Sequence, residues 1–175
     1  MAKRYKLVVT GAFNAGKTTF VSTLSNINVV NTDKATHRRD EAKVKSATTV
    51  ALDYGQVSIN GGLKVHLFGT PGQDRFDFMH ELLADGMHGF IFLIDATDQS
   101  TLKQATELLT LFKKRGNVPY LLVANKADRK GLSGEEIRKR LKLPPKQPIV
   151  PCIATDKRSV QAVVERLVMM IEANP

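Results

Sequence analysis

Two short stretches carry residue types whose spacing can do chemistry. The first is Gly11-Ala12-Phe13-Asn14-Ala15-Gly16-Lys17-Thr18, a G-x-x-x-x-G-K-T pattern. It follows the apolar run Leu7-Val8-Val9 and precedes a helix-compatible segment, Thr18 to Leu24. That strand–loop–helix setting is the one in which this pattern holds phosphate. Gly11 and Gly16 allow a tight turn with its N–H groups directed inward as an anion nest. The helix that follows adds its positive end. Phe13, Asn14, Ala15 and Thr19 fall within the same binding stretch. Lys17 can reach the β- and γ-phosphates of a nucleotide, and the Thr18 hydroxyl can ligate Mg²⁺. Outside that setting the same residues would make only a glycine-rich turn; within it they imply a nucleoside triphosphate site.

The second stretch is Asn125-Lys126-Ala127-Asp128, directly after the strand-like run Tyr120 to Ala124. A carboxylate held in the plane of a guanine accepts hydrogen bonds from both N1–H and the exocyclic amine. Adenine offers an acceptor at N1 and no amine there, so it would leave Asp128 unpaired. Asn125 can tie this loop to the phosphate loop, and the Lys126 stem can cover the base. Alone, the four residues would be a solvated loop. After a phosphate loop they point to guanine.

The elements that must position these stretches are legible in order. Tyr5 to Thr10 predicts a buried strand and Lys17 to Ser25 the first helix. A polar stretch without a clean period, from about Asn26 to Ser46, reads as a long loop of the kind that is functional or mobile. Val50 to Ile59 alternates as a strand, Asn60-Gly61-Gly62 is a tight-turn signal, and Leu63 to Phe68 returns antiparallel as a hairpin. Asp74 to Ala84 predicts a loosely held helix and Gly89 to Asp95 a strand buried on both faces. Helical spacing runs from Ser100 to Lys114, and Val118 to Ala124 is a further buried strand. Ser133-Gly134-Glu135-Glu136 is a capping box opening a helix through Leu141. Pro148 to Ile153 forms a last strand, and the stripe Val160, Val163, Val164, Leu167, Val168, Ile171 marks a closing helix. This alternation predicts an α/β fold: a doubly wound, mostly parallel six-stranded sheet with one antiparallel edge strand, in one domain over residues 1–175. The segments 11–18, 69–73, 125–128 and 152–155 all follow strands and should converge on one rim.

With these motifs in this order, the chain resembles a Ras-like small GTPase over nearly its whole length. Thr49-Val50-Ala51-Leu52-Asp53-Tyr54 resembles switch I, and Thr70-Pro71-Gly72-Gln73-Asp74-Arg75-Phe76 resembles switch II. The resemblance implies Thr49 as the second Mg²⁺ ligand beside Thr18, with Thr48 as the adjacent alternative. It also implies that Gly72 offers its N–H to the γ-phosphate and Gln73 orients the attacking water. Lys17, Gln73 and Gly72 would then serve the reaction, GTP to GDP and phosphate. Pro151 to Thr155 falls where the family's last guanine-contacting loop lies, with Ala154 giving a backbone N–H and Thr155 beside it.

Two positions depart from the pattern. Gly69 stands where the family usually has an aspartate that supports Mg²⁺, which bears on ion affinity and hydrolysis but not on nucleotide binding. The last loop has Ile153-Ala154-Thr155 in place of the usual Ser-Ala-Lys. The wording around Phe68 to Gln73 resembles the prokaryotic branch of MglA and conservon-type GTPases, which implies roadblock-domain partners. Arg38, Arg39 and Arg75 are candidates for an arginine finger in cis, with ordinary exposed charge as the alternative. A hydrolysis-impaired GTP-binding scaffold, an ATP-using P-loop protein and an RNA-associated GTPase remain the competing readings.

Composition bounds the rest. Of 175 residues, 42% are hydrophobic and 25% charged, ordinary proportions for a globular domain. The net charge of +9 is spread over short clusters such as Lys113-Lys114-Arg115 and Arg138 to Lys146, without interleaved aromatics. A generally basic face is the simpler reading; peripheral contact with an anionic membrane is the other, and nucleic acid is disfavoured. The expected location is the cytoplasm, or the inner face of its membrane. The two ends predict no signal peptide and no prenylation box, and Ala2 stands where myristoylation would need a glycine. The four histidines lack metal-ligand spacing, and the single cysteine, Cys152, reads as a packed strand-end residue.

Overall fold

The computed structural model describes residues 3–27, 30–31, 52–71 and 77–175. Among them the strands are β1 (Arg4–Gly11), β2 (Val30–Asn31), β3 (Asp53–Ile59), β4 (Leu63–Gly69), β5 (Gly89–Asp95), β6 (Tyr120–Asn125) and β7 (Ile149–Cys152). The helices are α1 (Lys17–Leu24), α2 (Asp77–Ala84), α3 (Leu102–Arg115), α4 (Gly134–Arg140) and α5 (Lys157–Ala173), with a short 3₁₀ turn at Gln99–Thr101. The sheet order is β2-β3-β4-β1-β5-β6-β7. Its six long strands are the expected frame, five mutually parallel and β3 antiparallel to β4. The two-residue β2 extends this frame by pairing antiparallel to β3.

The run Leu7 to Val9 explains the layering. Successive side chains of a strand point to opposite faces. Leu7 and Val9 pack with Ile91, Leu93, Leu121 and Val123 under α1 and α5. Val8 packs with Phe90, Phe92, Ile94 and Leu122 under α2, α3 and α4. All seven residues of β5 are buried, as a central strand covered by helices on both faces requires. Each large apolar side chain so buried contributes about 1.5–3 kcal/mol. The predicted closing stripe is the buried face of α5, and the predicted capping box opens α4, with the Ser133 hydroxyl accepting from the Glu136 N–H and Glu136 accepting from the Ser133 N–H.

Several boundaries differ from the sequence reading by one to a few residues. β1 begins at Arg4 and includes Gly11, which pairs with Leu93. β6 begins at Tyr120 rather than Val118, because Pro119 has no N–H to donate; its carbonyl accepts from the Phe90 N–H instead. The helix expected from Asp74 is described from Asp77, residues 74–76 lying outside the described set, as do Val50 and Ala51 of the strand expected ahead of Asp53.

Parallel order carries the ends of β1, β4, β5, β6 and β7 to one rim, where the cross-strand pairs are Val9 with Gly69, Gly11 with Leu93, Asp95 with Asn125, and Asn125 with Cys152. Because β3 runs the other way, the same rim receives its first residue, Asp53, opposite Gly69.

Candidate functional site

The loop between β1 and α1 folds as a nest. Gly11, Asn14 and Gly16 all have positive φ, at 147°, 61° and 100°. No side chain caps the first turn of α1, so its leading N–H groups remain as donors toward an anion. Gly16 has no substitute here: a Cβ would lie 2.3 Å from Asn125 Nδ2. The loop is fastened at several points. The Phe13 N–H donates to Gln104 Oε1 at 3.1 Å, and the Ala15 N–H to the Ala12 carbonyl at 3.1 Å.

Lys17 is 7% exposed, and its Nζ donates to the Gly11 and Ala12 carbonyls at 2.7 and 2.8 Å. Burial pushes its ammonium down to about 8, the charge of Asp53 opposing that shift. Thr18 Oγ1 donates to Asp53 Oδ2 at 2.5 Å. Since the hydroxyl gives its proton to Asp53, its lone pairs stay available, and hydroxyl with carboxylate forms the hard oxygen set that Mg²⁺ takes. The residues present therefore fit that ion.

From β6 comes the second half of the rim. Asn125 is buried, and its Nδ2 donates to the Ala15 carbonyl at 2.9 Å while its Oδ1 accepts from the Ala154 N–H at 3.0 Å. Lys126, at φ 62°, extends its Nζ to the Asn14 carbonyl at 3.3 Å and to Asp95 Oδ2 at 2.5 Å. Burial pushes the Asp95 carboxyl up, but hydrogen bonds from Lys126 and Thr97 outweigh it and hold the group below the usual carboxylate range. A turn closed by Arg129 N–H to the Lys126 carbonyl, with Ala127 N–H to the Cys152 carbonyl, leaves Asp128 exposed at the rim.

The 152–155 loop joins through Ala154, whose carbonyl also accepts from Thr23 Oγ1 at 2.6 Å. The Ala154 N–H, expected to face the base, donates here to Asn125 Oδ1. Thr155, next along and exposed, presents the following amide. Thr19 is exposed beside Thr18 on α1. Thr49, Gly72 and Gln73, with Arg38, Arg39 and Arg75, lie outside the described residues.

Two rim residues escaped sequence reasoning. Asp95 appeared only as a strand end, and Asp53 only as part of switch I. The signal for both was a carboxylate at a strand terminus facing the phosphate loop. Three histidines are hydrogen-bonded within the fold: His66 Nδ1 meets the Tyr54 hydroxyl, His88 Nδ1 accepts from the Lys6 N–H, and His80 Nε2 donates to the Pro71 carbonyl. Burial pushes the Cys152 thiol up, away from the thiolate a nucleophile needs.

A glycine loop from β1 to α1, locked by an Asn-Lys-x-Asp turn at the same rim of a doubly wound sheet, is the architecture of a small GTPase. Residues 6–173 match the model of the Ras family, and the chain belongs to that family. It is 35% identical over 123 residues to an uncharacterized protein of Methanocaldococcus jannaschii, covering 70% of each. It is 32% identical over 130 residues to ADP-ribosylation factor-related protein 1 of Bos taurus, covering 71% of this chain and 60% of that one. The chain thus spans about three fifths of those factor-related proteins. The fold is also that of the Arl6 BBS3 small GTPase from Trypanosoma brucei, solved with the nucleotide analogue GppNp, at a TM-score of 0.75, 20% identity, and coverage of 99% and 100%. Among the described residues no helix is long and apolar enough to cross a membrane.

Proposed function

We propose that the protein is a guanine-nucleotide switch that binds GTP with Mg²⁺ and hydrolyses it slowly to GDP and phosphate. The observation that carries the reading is the Asn125 bridge, which joins the phosphate loop, the base-reading turn and the 152–155 loop into one cradle. In this reading the nest amides of Gly11 to Thr19 hold the phosphates. Lys17 leaves the Gly11 and Ala12 carbonyls to meet the β- and γ-phosphates, whose charge offsets the desolvation of its buried ammonium. Asp128 selects guanine, the Lys126 stem covers the base, and Thr155 rather than Ala154 offers the loop amide.

Mg²⁺ would be held by Thr18 and Thr49 and, when bound, would neutralise charge on the phosphates. Gly72 donates to the γ-phosphate and Gln73 orients the water, so that loss of the γ-phosphate releases both switch segments. Partner binding then follows the nucleotide state. A roadblock-domain regulator or effector is the partner class supported by the resemblance of residues 68–73 to the MglA and conservon-type branch. The basic surface supports peripheral contact with the inner membrane face from a cytoplasmic location.

Purified protein with Mg²⁺ should take up one equivalent of GTP and turn it over at roughly 10⁻⁴ to 10⁻² s⁻¹ without a partner. Binding without turnover would leave the scaffold reading; absence of binding would end both.

A further inference from the structure

Beside the base-reading turn lies a buried charge that the proposed chemistry does not use. Asp95 is the last residue of β5, its side chain only 4% exposed, and it pairs across the sheet with Asn125. Its two oxygens are divided between two neighbours. Oδ1 accepts from the Thr97 N–H at 2.8 Å and from the Thr97 hydroxyl at 2.6 Å, while Oδ2 accepts from Lys126 Nζ at 2.5 Å. We infer that Asp95 is a positioning residue for guanine retention: anchored by Thr97, it fixes the Lys126 stem as a rigid cover for the base. The inference deepens the guanine-nucleotide reading above and rests on it.

Three features support it. First, Lys126 needs a holder. A long lysine stem loses much rotamer freedom when it is ordered, and its φ of 62° is one that residues with a side chain adopt at a cost. The Asn14 carbonyl at 3.3 Å is a weak tether, whereas a buried carboxylate accepting from an ammonium is a strong one. Second, the ammonium is engaged inside the protein, by Asp95 and Asn14. What Lys126 offers the base is therefore its methylene stem, with the charge balanced behind it. Third, the backbone sets the spacing of the pair. The Ala96 N–H donates to the Asn125 carbonyl at 3.3 Å, and the Leu132 N–H to the Ala96 carbonyl at 2.7 Å. A Cβ at Gly131 would lie 2.3 Å from that same carbonyl, so the approach is close. The segment that carries Asp95 is thus fastened on both sides of the base-reading turn, and the carboxylate acts from a fixed point.

The test is release of a fluorescent GDP from the full chain, followed across a Mg²⁺ titration, for wild type, Asp95→Asn, Lys126→Met and the double variant. Asp95→Asn should release GDP about tenfold faster, with the Mg²⁺ midpoint of wild type, because only the base side is loosened. Lys126→Met should speed release to a similar degree, and adding Asp95→Asn to it should change release no further. Equal effects of Asp95→Asn in the two backgrounds would show that it does not act through Lys126, and would overturn the inference. Unchanged release in Asp95→Asn would overturn it too, as would a Mg²⁺ midpoint that moves together with release, the mark of a rim loosened as a whole. Thr97→Ser, which keeps the hydroxyl, should match wild type, while Thr97→Val should release GDP faster unless Lys126→Met is already present. If Asp95→Asn does not fold, the Thr97 variants decide, and wild-type release from Thr97→Val would count against the inference. Should wild type bind no GDP at all, the guanine-nucleotide reading fails first, before any variant is compared.

Discussion

The side-chain amide of Asn125 closes a bridge between Ala15 and Ala154, donating to the first at 2.9 Å and accepting from the second at 3.0 Å. These partners lie 110 and 29 residues away in sequence. A primary amide can donate to a carbonyl from its nitrogen and accept from an N–H at its oxygen at once. Asn125→Ala would strand both groups in a buried setting, at about 1–3 kcal/mol for each. The urea midpoint should fall accordingly, and GDP affinity should fall with it; an unchanged midpoint would show the bridge to be dispensable.

The Asp95–Lys126 pair gives the rim a pH dependence. The Asp95 side chain is 4% exposed, that of Lys126 27%. Because the folded protein holds the Asp95 carboxyl below its ordinary value, the group adds stability that is fully present above the unfolded carboxylate range. That stability is lost as the pH falls through the lower, folded value. The melting-temperature advantage of wild type over Asp95→Asn should therefore be largest near neutrality and shrink in acid, below about pH 4. An advantage that grew in acid would contradict the pairing.

Much of this site was legible from local spacing. The glycine loop, the Asn-Lys-x-Asp turn and the buried run Gly89 to Asp95 each announce themselves within a few residues, and periodicity then places them on one rim. What stayed hidden depends on pairing across the sheet. Asp53 gains its place only because β3 and β4 are in a register that sets it against Gly69. The turn at Asn60-Gly61-Gly62 allows that register to be counted outward, but only once the turn length is known. The hydrogen bond from the Ala154 N–H to Asn125 Oδ1 likewise depends on two loops that only the folded sheet brings together.

Gln73 supplies the expectation for chemistry. If it orients water, Gln73→Leu should slow single-turnover GTP hydrolysis roughly tenfold or more while leaving GTP affinity near wild type. Equal rates for the two proteins would favour the scaffold reading.

Base selection tests the central claim most directly, in a competition of GTP and ATP against fluorescent GDP with Mg²⁺ present. The account predicts displacement by micromolar GTP and almost none by a hundredfold excess of ATP, a preference of about 10² or more that Asp128→Ala should largely abolish. Equal displacement by the two nucleotides, or a preference untouched by loss of Asp128, would contradict it.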